Sequence, residues 1–364
     1  MTNFKVLVLQ APLPLDPLWL AHEEAAGLRK PKPVLTAIER QPVYALDCRA
    51  RNAVMMATGA RDHDLFNGIQ IQALTAPSRV DKDDYQIPVL KYTLAKGENH
   101  EQTQSEEMNG GRQGVVLFYI HGGGLLVGEA DSEELSCRRL VKHFSGSETG
   151  PGHTSINSRK TPYQNIALYS VGYRLMPQVP AQTCLSDVIS AFETIRQIHQ
   201  TEKVIVIGSS SGGELAALLS QSAPPESIQG ILLRCPVTVD APSIVPPYFA
   251  ESHTSASQPF ETSLLGRFHR QVPRDGLEKM PLEMPADDVR SLELPRTWIQ
   301  VCTNDVLYSD GTCYAELLEN SGVEVKVDVI AGWPHTFWLK APHLDRALEA
   351  ENAMLDGLDW VLAG

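Results

Sequence analysis

Ser210 has glycine two positions away on either side, in Gly208-Ser209-Ser210-Ser211-Gly212-Gly213. Residues 204–207 are an apolar, strand-like run before it, and 214–219 are a helix-compatible stretch after it. A strand, Gly-x-Ser-x-Gly and a helix together make a sharp turn that lifts the serine hydroxyl out of a sheet. The turn also sets Ser210 at a helix N-terminus, where free N–H groups and the dipole favour developing negative charge. A serine hydroxyl is a weak nucleophile at neutral pH. It needs a general base within hydrogen-bond reach, and that base needs an acid to orient it.

Two later residues fit those roles. Asp305 follows the apolar run 297–302, and His335 follows the run 323–330, in Gly332-Trp333-Pro334-His335-Thr336-Phe337-Trp338. Both fall on loops at the carboxyl ends of expected strands, where open α/β sheets place their active sites. Asp310 is a rival acid, but after Ser309 it reads as a cap or first-turn residue of the next helix. His22, His63, His100, His143, His153, His199, His253, His269 and His343 sit in polar or helical contexts and read as surface or packing.

A fourth element is His121-Gly122-Gly123-Gly124, directly after the apolar run 115–120. Consecutive glycines let backbone N–H groups come close to a substrate oxygen. The N–H groups of Gly123, Gly124 and Ser211 are the expected donors to a tetrahedral oxyanion. His121 is expected to brace this loop and not to transfer protons.

The elements that must position these residues alternate. Strands are expected at 115–120, 166–171, 203–208, 230–235, 297–302 and 323–330. Helices are expected at 132–144, 181–199, after Ser210, at 309–321 and at 343–362. That rhythm predicts an α/β fold with a mostly parallel central sheet and helices on both faces. Residues 69–74 and 89–94 alternate apolar and polar residues and suit an antiparallel edge pair. Short helices are expected at 18–29 and 34–38. The polar stretches 96–114 and 145–162 read as loop insertions.

Residues 236–296 interrupt the rhythm with nine prolines. Sixty residues without a strand are too long for a plain loop, so a helical cap or lid is expected. The expected organisation is a catalytic core of 67–235 and 297–364, a cap segment at 236–296, and a cap contribution from 1–66.

Composition narrows the function. The 364 residues carry a formal net charge of −13, which argues against nucleic acid as a partner because phosphate binding needs basic patches. No run of about 18 apolar residues exists, so no membrane span is expected. The first ten residues lack a basic region followed by an apolar one, and a cytoplasmic protein is expected. The six cysteines form no C-x-x-C pair and have no zinc spacing, so the expectation is buried free thiols and no metal.

The combined motifs resemble the hormone-sensitive-lipase branch of the α/β-hydrolases over about residues 85–364. They are the HGGG run, the elbow with its doubled glycine, Tyr173-Arg174-Leu175-Met176-Pro177 with Asp187 beyond it, and the segment around His335. The resemblance implies an α/β-hydrolase fold with a helical cap. It implies carboxylic-ester hydrolysis through an acyl-Ser210 intermediate, with no cofactor, and a small-molecule ester as substrate. Short or medium acyl esters, or an acetylated or lactone-bearing metabolite, are the expected substrates. An acyltransferase, lactonase or cyclase using the same three residues is the alternative. The longer insertions resemble those of fungal biosynthetic hydrolases, which implies secondary metabolism. Relatives of this type dimerise through the last strand and helix, which implies a homodimer. This chain departs from the family elbow G-D-S-A-G-G at Ser209 and Ser211. The missing acid before the nucleophile puts fine tuning in doubt, not the nucleophile. Arg174 and Asp187 are expected to pair below the site. Trp333, Phe337 and Trp338 fit an acyl pocket or core packing equally.

Overall fold

Strands β3 (Val115–Ile120) and β4 (Ile166–Val171) are apolar at nearly every position and buried throughout. Continuous apolar strands are covered on both faces, which calls for a helix layer on each side. The computed structural model describes residues 2–31, 33–80, 84–95, 114–145, 163, 165–239, 245–262 and 277–364. Among them, eight strands form one sheet in the order β1-β2-β4-β3-β5-β6-β7-β8. β1 (Ile69–Pro77) and β2 (Gln86–Leu94) are an antiparallel edge pair, and β2 runs antiparallel to β4. The remaining neighbours, β5 (Lys203–Ser209), β6 (Gly230–Arg234), β7 (Thr297–Asn304) and β8 (Val325–Pro334), extend the parallel set from β3.

The alternation along β3 divides the core. Val115, Leu117 and Tyr119 pack with α3 (Glu134–His143) and α9 (Asp345–Leu362) through Leu140 and Leu358. Val116, Phe118 and Ile120 pack on the other face with α4 (Ala181–Ile198), α5 (Ser211–Ser222) and α7 (Tyr308–Asn320), through Ala191, Leu219 and Leu318. β3 lies between β4 and β5, so successive crossovers run to opposite sides of it. The crevice outside the carboxyl end of such a strand is where open α/β sheets bind ligands.

The N-terminal helices differ from expectation. The first, α1, is Pro17–Ala25, and the second, α2, is Ala37–Met56, twenty residues long in place of the short turn expected at 34–38. Thr36 and Glu39 form a reciprocal capping box that starts α2, and the helix continues through Pro42. Pro42 is the natural reason to end a helix there, and the exposed Val43, Leu46 and Val54 blur the apolar stripe.

Within 236–296 the described residues form 3-10 turns at Pro247–Phe249, Gln258–Phe260 and Pro281–Glu283, and a six-residue helix α6 (Ala286–Ser291). The expected insertions at 96–114 and 145–162 lie outside the described residues, apart from Gly114 and Ser145. The short helix α8 (Phe337–Lys340) follows β8. No described helix is long and apolar enough to cross a membrane.

Candidate active site

Four predicted site residues each stand one step beyond the carboxyl end of a parallel strand. Ser210 follows β5, His121 follows β3, Asp305 follows β7 and His335 follows β8. Four loops, scattered over more than two hundred residues, therefore open on one rim of the sheet.

Ser210 adopts φ 54° and ψ −121°, a left-handed conformation that costs a non-glycine residue strain. The surroundings hold it there. Its N–H donates to Arg234 O at 2.8 Å, and its carbonyl accepts from Gly213 N at 2.9 Å. The turn also needs Gly212, because a Cβ there would lie 2.1 Å from Ile120 O. The serine thus sits on a rigid strand-to-helix turn with its hydroxyl presented at the rim.

The side chains meet in one relay. His335 Nε2 lies 2.8 Å from Ser210 Oγ, and His335 Nδ1 lies 2.6 Å from Asp305 Oδ2. The other Asp305 oxygen accepts from Leu307 N at 2.9 Å. Asp305 is 1% exposed, and an ionised carboxylate can only accept. In the neutral imidazole Nδ1 therefore carries the proton, and Nε2 accepts from the serine hydroxyl. Burial works against the imidazolium of His335, but the adjacent Asp305 carboxylate, then Cys235, outweigh it and raise the pKa to about 10.

The sign of that shift gives a prediction. A general base works only when neutral, so the active fraction grows as pH rises through its pKa. The log of kcat/KM for an activated ester should climb with unit slope, past the ordinary histidine value of 6.5 and toward 10. Below that range the imidazolium predominates and the hydroxyl has no base. A pH–rate profile that levels off near 6.5 would contradict the Asp305–His335 coupling.

The glycine loop stands beside the serine. A Cβ on Gly122 would come within 2.8 Å of Ser209 O and 3.1 Å of Ser210 Cβ, so only glycine permits this approach. Gly123 and Gly124 take φ of 128° and 65°. The N–H groups of Gly123, Gly124 and Ser211 make no hydrogen bond to another described residue. His121 is fully buried against the loop and Tyr173. Its Nδ1 bonds Gly122 O at 2.7 Å, its ring stacks on Tyr173 at 4.3 Å, and Tyr173 Oη donates to His121 O at 2.8 Å. Burial lowers its pKa to about 4, so it stays neutral. Ser211 Oγ accepts from Leu125 N at 3.3 Å, tying the loop to the elbow.

The supporting residues sort themselves. Arg174 grips Asp187 with Nη2 and Nε, at 2.7 and 2.8 Å. Trp333, Phe337 and Trp338 pack with Trp19 in a buried cluster, which settles them as core and not as an acyl pocket. Asp310 lies in the first turn of α7 but serves a different partner from the helix end. Its carboxylate accepts from Thr238 N at 2.7 Å and Val239 N at 3.1 Å, and bonds His253 Nε2 at 2.9 Å. Asp310 thus fastens the segment leaving β6, and His253 is drawn into that pairing from the 236–296 region.

Two neighbours of the site are missing from the sequence reading. Cys235, at the end of β6, has its Sγ within 4.8 Å of ligand atoms of both Asp305 and His335. These three groups have the donor types of a metal site, but both His335 nitrogens and Asp305 are already committed to the serine relay. Glu133 is the second. It begins α3 and reads in sequence as an ordinary acidic residue at a helix start, yet it is 3% exposed and touches both the glycine loop and Ser209. The signal was Ser209 itself, a buried hydroxyl where the family has an acid.

Comparisons with known proteins give the same fold. A family profile described as alpha/beta hydrolase fold matches residues 148–339. Esterase LipI of Mycobacterium tuberculosis is 30% identical over 262 residues, covering 68% of this chain and 73% of that protein. Versiconal hemiacetal acetate esterase of Aspergillus parasiticus is 27% identical over 236 residues, covering 61% of this chain and 67% of that protein. A further match, 29% identical, spans only 29% of a much longer relative. Among solved structures, vibralactone cyclase superposes with a TM-score of 0.68 at 16% identity, covering 97% of this chain and 96% of that one.

Proposed function

The chain belongs to the alpha/beta hydrolase fold family, and from that premise we propose that it hydrolyses carboxylic esters through an acyl-Ser210 intermediate. One observation carries this reading. Ser210 Oγ bonds a histidine that a buried carboxylate orients, on a rim it shares with three backbone N–H groups that bond no other described residue.

His335 takes the proton as Ser210 attacks the ester carbonyl. Asp305 holds the imidazole in the accepting tautomer and stabilises its charged form. The N–H groups of Gly123, Gly124 and Ser211 receive the oxyanion, where each donor is worth about 3 kcal/mol of barrier. His335 then protonates the leaving alcohol. Water, activated by the same base, releases the acid.

The substrate is a short or medium acyl ester of a small molecule. An acetylated metabolite fits best, because a related protein carries the name of an acetate esterase. Secondary metabolism is the corresponding setting, and the cytoplasm the corresponding compartment. Residues 1–66 and 236–296 form the cap over the core of 67–235 and 297–364. In support, Asn304 donates to Leu13 O and Thr262 Oγ1, and Asp16 N donates to Gly332 O, so both segments reach the rim beside Asp305 and His335. A homodimer would use the open edge of β8.

The test is hydrolysis of p-nitrophenyl esters from acetate to decanoate, with product analysis in the presence and absence of an added alcohol. The expected result is turnover that favours short chains and yields the free acid under both conditions. Transfer of the acyl group to the alcohol in preference to water would make the protein an acyltransferase. Absence of any turnover, with no covalent labelling of Ser210 by an activated phosphonate, would remove the reading altogether.

A further inference from the structure

The family elbow carries an acid before the nucleophile, and this chain has Ser209 there. A carboxylate from elsewhere in the chain nonetheless reaches Ser209. Glu133, at the start of α3, brings its side chain between the elbow and the glycine loop. Its Oε1 accepts from Ser209 Oγ at 3.0 Å and from Gly122 N at 2.8 Å, and its Oε2 accepts from Tyr119 Oη at 2.6 Å. One buried carboxyl group thus joins β3, the glycine loop and the residue next to the nucleophile.

The position is specific. Gly122 is the residue whose approach to Ser210 leaves no room for a Cβ. Its two backbone groups are held from opposite sides, the N–H by Glu133 and the carbonyl by His121. Fixing the N–H and carbonyl of Gly122 fixes the peptide planes on both sides of it, and so the direction of the next N–H, that of Gly123. A carboxylate that accepts three hydrogen bonds in a buried site is also strongly directional, because an unmet acceptor there is costly.

We propose that Glu133 is a positioning residue of the oxyanion hole, setting the spacing and aim of the 121–124 loop relative to Ser210. The inference rests on the ester-hydrolase reading. Glu133 touches no substrate atom. It acts through Gly122 and Ser209.

The experiment compares wild type with Glu133→Met, which keeps the length of the side chain without an acceptor, and Glu133→Gln, whose carbonyl can still accept from Gly122 and Ser209. Active sites are first titrated with a p-nitrophenyl phosphonate, so that kcat refers to folded enzyme. With p-nitrophenyl butyrate, Glu133→Met should lose about 100-fold in kcat with KM within about threefold, somewhat less than a deleted oxyanion donor costs. Its rate of phosphonylation should fall by a similar factor, because the phosphoryl oxygen occupies the same hole. Glu133→Gln should recover most of the loss. If Glu133→Met does not fold, Glu133→Asp takes its place, since it withdraws the carboxylate by one methylene and should show the same loss in kcat. A folded Met or Asp variant with wild-type kcat and phosphonylation rate would overturn the proposal, as would a loss seen only as a lower titrated fraction. Wild type that is phosphonylated but turns over no ester would instead overturn the ester-hydrolase reading, and the phosphonylation rates of the variants would still decide the role of Glu133.

Discussion

Ser210→Ala should lower kcat for p-nitrophenyl butyrate by on the order of 10⁶-fold, the loss expected when the nucleophile of a serine–histidine–aspartate unit is removed. The size follows from the arrangement. Ser210 Oγ has one hydrogen-bond partner among the described residues, the base His335 Nε2. Deleting the hydroxyl leaves His335 and Asp305 bonded to each other, and leaves the glycine loop in place. The residual rate, from oriented water and the oxyanion donors, should still exceed the uncatalysed reaction. Stability should change little, because the strain at φ 54° is held by backbone bonds to Arg234 and Gly213 that alanine keeps. The measurement is kcat on variant purified free of wild type, with thermal denaturation beside it. A variant within 100-fold of wild type would assign the nucleophile elsewhere.

Much of this site was legible because its chemistry is local in sequence. A glycine-flanked serine after an apolar run, a triple glycine after another, and a histidine and an aspartate after two more each declare a strand end. The parallel sheet then gathers the four ends without further instruction. The edge pair β1–β2 was legible for the same kind of reason, since a period of two over six residues has few other meanings. What stayed hidden depended on partners distant in sequence. Asp310 does stand in the first turn of α7, but the partners of its carboxylate, Thr238, Val239 and His253, lie outside that helix and leave no local mark. Glu133 carries no motif, and only the fold brings Tyr119, Gly122 and Ser209 around it. Helix α2 was hidden differently. Its capping box at Thr36 and Glu39 could be read, but Pro42 and the exposed apolar residues contradicted it. The helix is held by tertiary contacts that the local signals do not show: Ala45, Cys48, Met55 and Met56 are buried, and Asn52 donates to Asp131 O.

The two carboxylates at 305 and 310 give the sharpest separation of chemistry from structure. Asp305→Asn should lower kcat by about 10⁴-fold with little change in KM. The amide keeps the volume and can still accept from Leu307 N. Facing His335 Nδ1, however, its NH2 group would favour the tautomer with the proton on Nε2, which cannot accept from Ser210. The fixed charge that raises the pKa of His335 also disappears, so the residual activity should titrate nearer 6.5 than in wild type. Asp310→Asn removes the same charge five residues away and should behave in the opposite manner. The amide oxygen can keep the Thr238 and Val239 N–H groups, though as weaker neutral bonds, but its NH2 group would face His253 Nε2, which could no longer donate there. The expected loss is therefore about 1–3 kcal/mol of stability, seen in denaturant melts. Its kcat should stay within a few-fold of wild type, because nothing in the Ser210–His335–Asp305 relay passes through it. If Asp310→Asn instead lost four orders of magnitude and Asp305→Asn did not, the orienting acid would be Asp310. The 2.6 Å bond from His335 Nδ1 to Asp305 would then not be the one that serves catalysis.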